Sequence, residues 1–282
     1  MKVIECPRDA MQGLHEFIPT DLKAEYINQL LKVGFDTIDF GSFVSPKAIP
    51  QMRDTAEVLS QLNLTGTPSK LLAIIANQRG AEQAVSFNEI TYLGFPLSIS
   101  ETFQQRNTNK SIGEALESLA EIQNLCIKNG KKLVTYISMG FGNPYGEEFN
   151  KEIVEEFVQK LYQLQVSIIS LSDTIGVAEP QIIKEIFKNS IIAYPTIEFG
   201  AHFHSTPQKT REKIEAALEA GCKRFDSAIK GFGGCPMAKD DLTGNIATEK
   251  LLSILEEHGK APIYSKEEFE KSMIKSSEVF PI

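Results

Sequence analysis

The segment 132–173 contains the pattern that decides the fold. It reads KLVTYISM at 132–139, KEIVEEFVQKLYQL at 151–164 and SIISLSD at 167–173. The two outer runs are short and rich in apolar and β-branched residues, which favours buried strands. The middle run has apolar residues at three- and four-residue spacing, which predicts a helix with one buried face. A helix between two such strands predicts a parallel strand–helix–strand unit.

The same unit recurs along the chain. Helical periodicity also marks DLKAEYINQLLKVG at 21–34 and IGEALESLAEIQNLCIKNG at 112–130, and both segments end at a glycine. Eight strand-like runs are present, namely KVIEC (2–6), TIDFGSF (37–43), LLAIIAN (71–77), ITYLGF (90–95), KLVTYISM (132–139), SIISLSD (167–173), IEFGAHFH (197–204) and RFDSAI (224–229). Eight such units close a barrel, so we predict one (β/α)8 TIM barrel domain over residues 1–282.

Helix ends and the region after the first strand refine this prediction. Thr20 or Asp21 is expected to cap the first long helix. Residues from about Ala247 onward are expected to supply the eighth helix, and an extra C-terminal helix is expected to begin near Ser265. A doubly wound sheet would carry a glycine-rich turn after its first strand, whereas PRDAMQG stands there at 7–13.

Composition excludes several classes of protein. The 282 residues include 29 Lys and Arg against 37 Asp and Glu, a net charge of −8. Such a surface disfavours non-specific binding to nucleic acid or to anionic membranes. No apolar run approaches the roughly 20 residues that span a bilayer, and MKVIECPRD resembles a strand more than a secretion signal, so a cytoplasmic location is expected. The four cysteines have no CxxC spacing, which argues against a zinc knuckle or a disulfide framework.

Polar side chains follow the predicted strands at their carboxyl ends. In a barrel of this kind the chemistry lies at that end, so these residues are the candidates for function. The candidates are Arg8, Asp9 and Gln12 after strand one, Asp39 in strand two, Asp173 at the end of strand six, His202 and His204 in strand seven, and Asn245 after strand eight.

The two histidines are the strongest of these signals. Strand side chains alternate, so His202 and His204 point to one face while Phe203 points to the other. Together with a carboxylate oxygen from Asp9 and an amide oxygen from Asn245, they form a mixed nitrogen and oxygen set suited to a divalent metal.

Each candidate also has a purely structural interpretation. An isolated HxH pair is more often two hydrogen-bonded histidines than a metal site, and an aspartate at a strand end is commonly a helix cap, which applies to Asp173 and to Asp9. Arg8 beside Asp9 is a possible surface pair. Cys235 is a possible buried filler, but the glycines and proline of GFGGCP at 231–236 make a flexible loop in which a thiol can meet a ligand.

Six motifs together carry a family resemblance. They are PRDAMQ (7–12), SFVSPKAIPQM (42–52), SDTIGVA (172–178), HFH (202–204), GFGGCP (231–236) and TGNIATE (243–249). In this order they resemble the 3-hydroxy-3-methylglutaryl-CoA (HMG-CoA) lyase family, which is related to the isopropylmalate, homocitrate and citramalate synthases. SFVSPK and the GGCP loop resemble the lyase specifically, since the condensing synthases lack the cysteine loop.

The resemblance implies a divalent-metal-dependent lyase that cleaves HMG-CoA to acetoacetate and acetyl-CoA. It also implies an acyl-CoA substrate, a homodimer and a role in leucine catabolism. The residues implied to bind Mg²⁺ or Mn²⁺ are Asp9, His202, His204 and Asn245. The alternatives are a condensing acyltransferase that joins acetyl-CoA to a 2-keto acid, and a barrel that binds metal without catalysis.

Further roles are implied residue by residue. Arg8 would stabilise the enolate oxygen, Asp39 stands where the family has an acidic residue near the metal, and Cys235 would be the thiol that closes over the substrate. Gln12, Asp173 and Asn107 are the implied substrate-binding or supporting groups. Lys47, Arg106 and Lys239 are candidate cations for the anionic coenzyme.

Four departures from the family pattern qualify these roles. Asp39 replaces the usual Glu, Ala10 replaces Gly, and Ser205 replaces the Asp after the second histidine. The loop PMAKDDLTG at 236–244 is about one residue longer than usual. The shorter carboxylate at Asp39 has the greatest consequence, because one methylene displaces a carboxylate by about 1 Å or more, enough to weaken a contact in an active site.

Overall fold

A computed structural model describes residues 1–234 and 243–280. Its eight parallel strands form a closed barrel in chain order. The strands are β1 (Lys2–Glu5), β2 (Thr37–Ser42), β3 (Lys70–Ile74), β4 (Ile90–Ser98), β5 (Lys132–Ser138), β6 (Ile168–Asp173), β7 (Glu198–Phe203) and β8 (Arg224–Ser227). β8 pairs with β1, with Lys2 opposite Arg224, and this pairing closes the barrel. All eight predicted strands and the (β/α)8 architecture are confirmed.

Helices surround the barrel between and after the strands. They are α1 (Pro7–Gln12), α2 (Thr20–Leu31), α3 (Thr55–Ser60), α4 (Gln78–Val85), α5 (Glu101–Thr108), α6 (Ile112–Lys128), α7 (Lys151–Gln163), α8 (Pro180–Ala193), α9 (Thr210–Glu219), α10 (Thr248–Glu257) and α11 (Lys266–Val279). The extra C-terminal helix is confirmed, with Ser265 as its cap. Within the described residues, no helix combines the length and the apolar character needed to cross a membrane.

The predicted cap of the first long helix is wrong. Pro19 occupies the cap position of α2, and the helix begins at Thr20 itself. The Thr20 hydroxyl donates instead to the Asp54 carboxylate at 2.9 Å. The Thr20 side chain therefore makes a tertiary contact with Asp54, directly before α3, where the local pattern predicted that it would cap its own helix.

Strand side chains alternate between two environments. Those that point outward, such as Val3, Phe95 and Phe203, join the large apolar layer beneath the helices. Those that point inward differ around the barrel. On β3 to β6 they form a separate apolar cluster of Leu72, Ile74, Tyr92, Val134, Tyr136 and Ile168, which we call the apolar half.

The opposite side of the interior is ionisable. Asp39, His202, Arg224 and Asp226 lie there on β2, β7 and β8, and all but His202 are almost completely buried. We call these residues, with Asp9 and His204, the charged half. Because all strands are parallel, their carboxyl ends meet at one mouth of the barrel, where the two halves face each other across a common space.

Candidate active site

A cavity of about 390 Å³ occupies the carboxyl mouth of the barrel. The predicted residues that line it are Arg8, Asp9, Gln12, Arg106, Asn107, His202 and His204. Ile74, Pro96 and Tyr136 line its other wall. The folded chain thus brings most of the predicted residues to one space with a polar side and an apolar side.

Three side chains form a metal-binding geometry within this cavity. Asp9, His202 and His204 each offer one ligand atom, and these atoms lie within 4.8 Å of one another. His204 Nε2 is buried and has no hydrogen-bond partner among the described residues. His202 Nδ1 is hydrogen-bonded to Asp226 Oδ2 at 3.1 Å. Its Nε2 is therefore the ring nitrogen left to coordinate a cation.

The Asn245 amide lies beside this cluster, and its nitrogen is engaged in two hydrogen bonds. Its Nδ2 donates to Asp9 Oδ2 at 2.7 Å and to the Phe232 carbonyl at 2.9 Å. Both N–H groups of the amide are therefore engaged, and Oδ1 is the atom left to bind a cation. Two imidazoles, a carboxylate and an amide oxygen fit a divalent cation with open positions.

The charges around the site favour the cation-binding forms of Asp9 and His204, whereas for His202 burial lowers the pKa and the bond to Asp226 outweighs it, so that its pKa is raised. Burial by itself would raise the pKa of Asp9, but the Arg8 guanidinium and both histidines outweigh it, and the pKa falls below its ordinary value. Burial and the neighbouring His202 lower the pKa of His204 to about 4. An ionised Asp9 and a neutral His204 are the forms that bind a cation at neutral pH.

Arg8 is held in a bidentate pair with Asp39. Its Nε and Nη2 donate to the Asp39 carboxylate at 3.0 and 2.5 Å. Its Nη1 donates to Asp9 Oδ1 at 2.9 Å and to Gln12 Oε1 at 3.0 Å. A guanidinium has five N–H donors, so within the described residues one Nη2 N–H is left for a substrate oxygen. Asp39 therefore lies behind Arg8 and aims it.

Asp39 itself is completely buried. Burial raises its pKa, the adjacent Arg8 lowers it in part, and the result is about 6. Gln12 also supports the site, since its Nε2 donates to Asp9 Oδ1 at 2.8 Å. Asp39 thus orients Arg8, and Gln12 contacts both Arg8 and Asp9.

Asp173 lies behind the metal-binding residues and is not a helix cap, because α8 begins at Pro180 with Glu179 at the cap position. Its carboxylate accepts from the backbone N–H groups of 177 and 178 and forms a 2.6 Å ion pair with Lys213. Lys213 also donates to the His204 carbonyl at 3.1 Å. Asp173 and Lys213 thus hold the backbone that carries His204.

The remaining predicted residues are spread around the rim. Asn107 lines the cavity from α5, and the adjacent Arg106 is exposed, with its guanidinium 5.5 Å from the Tyr145 ring. Lys47 is exposed in the segment after β2. Cys235 and Lys239 lie outside the described residues.

Sequence reasoning missed two supporting residues, Asp226 and Lys213. Asp226 had a weak signal, because it lies in the strand run RFDSAI and shares its inward face with Arg224. Lys213 had none, since a lysine in the helical pattern of α9 is normally exposed.

Comparison with known proteins agrees with this geometry. A family model described as HMGL-like matches residues 4–277. The hydroxymethylglutaryl-CoA lyase YngG of Bacillus subtilis (strain 168) is 34% identical over 253 residues, which cover 89% of this chain and 83% of the relative.

Solved structures agree as well. An HMG-CoA lyase from Acenitobacter baumannii, in complex with coenzyme A and 3-methylmalate, superposes with a TM-score of 0.91 at 31% identity, covering 99% of this chain and 90% of the other. Hydroxymethylglutaryl-CoA lyase from Pseudomonas aeruginosa gives a TM-score of 0.91 at 29% identity, covering 100% and 93%. The resemblance seen in the sequence motifs is confirmed, and the chain belongs to the HMGL-like family.

Proposed function

We propose that this protein is a divalent-cation-dependent lyase that cleaves HMG-CoA to acetoacetate and acetyl-CoA. The observation that carries the proposal is the cluster of Asp9, His202 and His204 beside the aimed guanidinium of Arg8. The relatives named above are HMG-CoA lyases, and one of them was solved with coenzyme A. We propose Mg²⁺ or Mn²⁺ as the cation.

The proposed cation ligands are Asp9, His202 and His204, with Oδ1 of Asn245 as the fourth. A bound divalent cation supplies Lewis-acid polarisation of substrate oxygens. The chain itself supplies the fixed arrangement of donors, because each of the four is held by at least one hydrogen bond to its side chain or its backbone.

The reaction breaks the C2–C3 bond of the acyl group. The C3 hydroxyl loses its proton and becomes the ketone of acetoacetate, and the electrons of the broken bond move to C2 and the thioester oxygen as an enolate. We propose that the remaining Nη2 N–H of Arg8 donates to that oxygen, where negative charge develops in the transition state. A proton delivered to C2 then gives acetyl-CoA.

Two proton transfers complete the proposal. The candidates for the base at the C3 hydroxyl are Asp9, Asp39 and a histidine. Of the two carboxylates, Asp9 is favoured, because it lines the cavity while Asp39 lies behind Arg8. Cys235 is the proposed donor to C2.

We propose Asn107 as a substrate contact, and Lys47, Arg106 and Lys239 as cations for the coenzyme phosphates.

The apolar wall suits the branched part of the acyl group. Ile74, Pro96 and Tyr136 face the metal-binding residues across the cavity. They can contact the C3 methyl group and exclude water from the enolate, which strengthens each charge interaction in the site.

The test is product formation with the cation present or chelated. Purified protein is incubated with HMG-CoA and Mg²⁺ or Mn²⁺, and acetoacetate and acetyl-CoA are quantified. We expect both products in equal amounts, only with the cation. Absence of product while Mn²⁺ still binds would overturn the proposal, and the next assays would be condensation of acetyl-CoA with 2-keto acids and then metal binding without turnover.

Two single cysteine variants distinguish the lyase from the condensing alternative. Cys235→Ala should lower kcat at least tenfold with Mn²⁺ affinity unchanged. Cys126→Ala, which changes a buried thiol on α6, is the control and should keep full activity. Equal activity of both variants would remove Cys235 from the mechanism.

We further propose that the protein acts in the cytoplasm as a homodimer, in leucine catabolism, without nucleic-acid or membrane partners. The net charge of −8 supports the absence of nucleic acid. Sedimentation velocity at micromolar concentration tests the dimer, and a single species of about 31.3 kDa would contradict it.

A further inference from the structure

A column of ionisable side chains runs down the charged half, beneath the cavity. His202 Nδ1 bonds to Asp226 Oδ2 at 3.1 Å. Arg224 lies two residues before Asp226 on β8. Its Nη1 donates to Glu198 Oε1 at 3.2 Å. Glu198 Oε2 in turn lies 2.6 Å from Lys2 Nζ at the amino mouth of the barrel. The groups below His202 alternate in charge over the whole depth of the barrel.

The barrel makes room for Arg224 at one specific place. Gly200 lies opposite Arg224 in the pairing of β7 with β8. A Cβ atom on Gly200 would lie 3.0 Å from Arg224 Cδ and 3.3 Å from Ser170 Oγ. The arginine stem therefore occupies the space that a side chain at 200 would need. Two residues further along both strands, the same register sets Asp226 beside His202.

The stability of the barrel does not account for this arrangement. Arg224 is completely buried and Asp226 is 4% exposed. Within the described residues, Arg224 Nε and Nη2 and Asp226 Oδ1 are buried without hydrogen-bond partners. Buried ion pairs are often no more stable than apolar side chains of the same volume, and the neighbouring apolar half shows that this barrel can be filled with such side chains.

We propose that Asp226 and Arg224 are a positioning pair for the metal ligand His202. Asp226 accepts the Nδ1 hydrogen, so the lone pair of Nε2 is directed toward Asp9 and His204. Arg224 lies two residues earlier on the same inward face of β8 and supplies a buried opposite charge, which acts on the Asp226 carboxylate without a direct ion pair among the described residues. Gly200 is the residue that permits the arginine. The inference rests on the metal site of the proposed function, but not on the substrate assigned to it.

The experiment measures Mn²⁺ affinity by electron paramagnetic resonance and the tautomer of His202 by ¹⁵N NMR in the metal-free protein. Asp226→Asn should raise the Kd for Mn²⁺ about 10- to 100-fold, as is usual when a residue supporting a metal-binding histidine is changed. It should also shift the His202 population away from the Nδ1–H form. Glu5→Gln, which changes another buried carboxylate outside the barrel interior, is the matched control and should leave both quantities unchanged.

Arg224 is tested with a pair of variants. Arg224→Met should raise the Kd for Mn²⁺ in the same direction as Asp226→Asn, and Arg224→Lys should restore most of the affinity. The double variant with Asp226→Asn should bind no more weakly than Asp226→Asn alone, because the proposed effect of Arg224 on His202 passes only through Asp226.

Two results would overturn the inference. One is an unchanged Kd and an unchanged His202 tautomer in folded Asp226→Asn. If that variant does not fold, the Arg224 variants decide, and equal Kd values for Arg224→Met and Arg224→Lys would overturn the role of the arginine charge. Normal Mn²⁺ binding without cleavage of HMG-CoA would instead contradict the proposed function and leave this inference standing.

Discussion

The two halves of the barrel interior are built from the same kind of strand but with different side chains. The charged half carries His202, Arg224 and Asp226, while the apolar half carries Leu72 and Val134 at similar depth. In the apolar half, burial of each side chain is itself favourable. In the charged half, burial is unfavourable unless each charge has a partner.

This difference shows where function constrains the barrel. A packed apolar interior is the ordinary filling of this fold. The charged half includes Asp9 and the two histidines, whose ligand atoms lie within 4.8 Å of one another, so it contains the place where a cation would be bound. We therefore expect changes in the charged half to act on metal binding, and changes in the apolar half to act on stability.

The largest expected effect is from His204→Ala in the charged half. Its Nε2 has no hydrogen-bond partner among the described residues, so the substitution removes a proposed cation ligand without breaking a hydrogen bond at that atom. Mn²⁺ affinity should fall at least 100-fold, while the free energy of unfolding of the metal-free protein falls by about 1–3 kcal/mol, since His204 is buried. Calorimetric titration with Mn²⁺ and urea unfolding measure the two quantities. Ile74→Val in the apolar half is the control and should leave Mn²⁺ affinity unchanged, and a His204→Ala protein that still binds Mn²⁺ tightly would contradict the metal site.

Next in size is the loss of a buried ion pair behind the site. Lys213→Met leaves the Asp173 carboxylate buried without its cation, since the two side chains are 0% and 1% exposed. The free energy of unfolding should fall by about 3–5 kcal/mol. Lys209→Met breaks the half-exposed pair with Glu179 and should change it by about 1 kcal/mol or less. Equal urea midpoints for the two variants would show that burial does not distinguish these pairs.

Leu72→Ala tests the apolar half directly. Leu72 is completely buried, and its truncation should lower the free energy of unfolding by about 2–5 kcal/mol. The folded variant should bind Mn²⁺ with unchanged affinity. Ile263→Ala, at a position that is 98% exposed, is the control and should alter unfolding by about 0.5 kcal/mol or less. A weakened Mn²⁺ site in Leu72→Ala would mean that the halves are not independent.

The last comparison concerns a carboxylate outside both halves. Glu5 accepts hydrogen bonds from the Ile229 N–H and the Thr248 hydroxyl, and burial raises its pKa from 4.5 to about 8. Between these values the folded protein keeps a proton that the unfolded chain releases. The free energy of unfolding should therefore fall as pH rises from about 5 to 8, by no more than about 1.4 kcal/mol per pH unit.

Glu5→Gln cannot titrate, so its stability relative to the native protein should increase over the same pH range. Urea unfolding of both proteins at pH 5, 6.5 and 8 measures the difference. Parallel curves would show that Glu5 has an ordinary pKa in the folded protein.

Local pattern was sufficient for the strands and for the two histidines. Alternation places His202 and His204 on one face whatever the neighbouring strands are, and the polar run after β1 identifies Arg8 and Asp9. The predicted cap of α2 was wrong because the Thr20 hydroxyl donates to Asp54, which directly precedes α3 and is 34 positions away in the chain.

The supporting contacts were beyond the reach of local pattern. Asp39 pairs with Arg8 across 31 positions, and Lys213 pairs with Asp173 across 40. Such pairs depend on the stagger of neighbouring strands and on which strands each helix packs against. Neither quantity is encoded in the periodicity of a single element.

By itself, the sequence determined the eight strand and helix units, the common direction of the His202 and His204 side chains and the family to which the chain belongs. Only the tertiary structure decided which charges meet. Closure of β8 onto β1 and the register of Gly200 against Arg224 bring Asp226 to His202. The physical reason is that periodicity depends on backbone geometry within one element, whereas ion pairs a few ångströms apart depend on how separate elements pack.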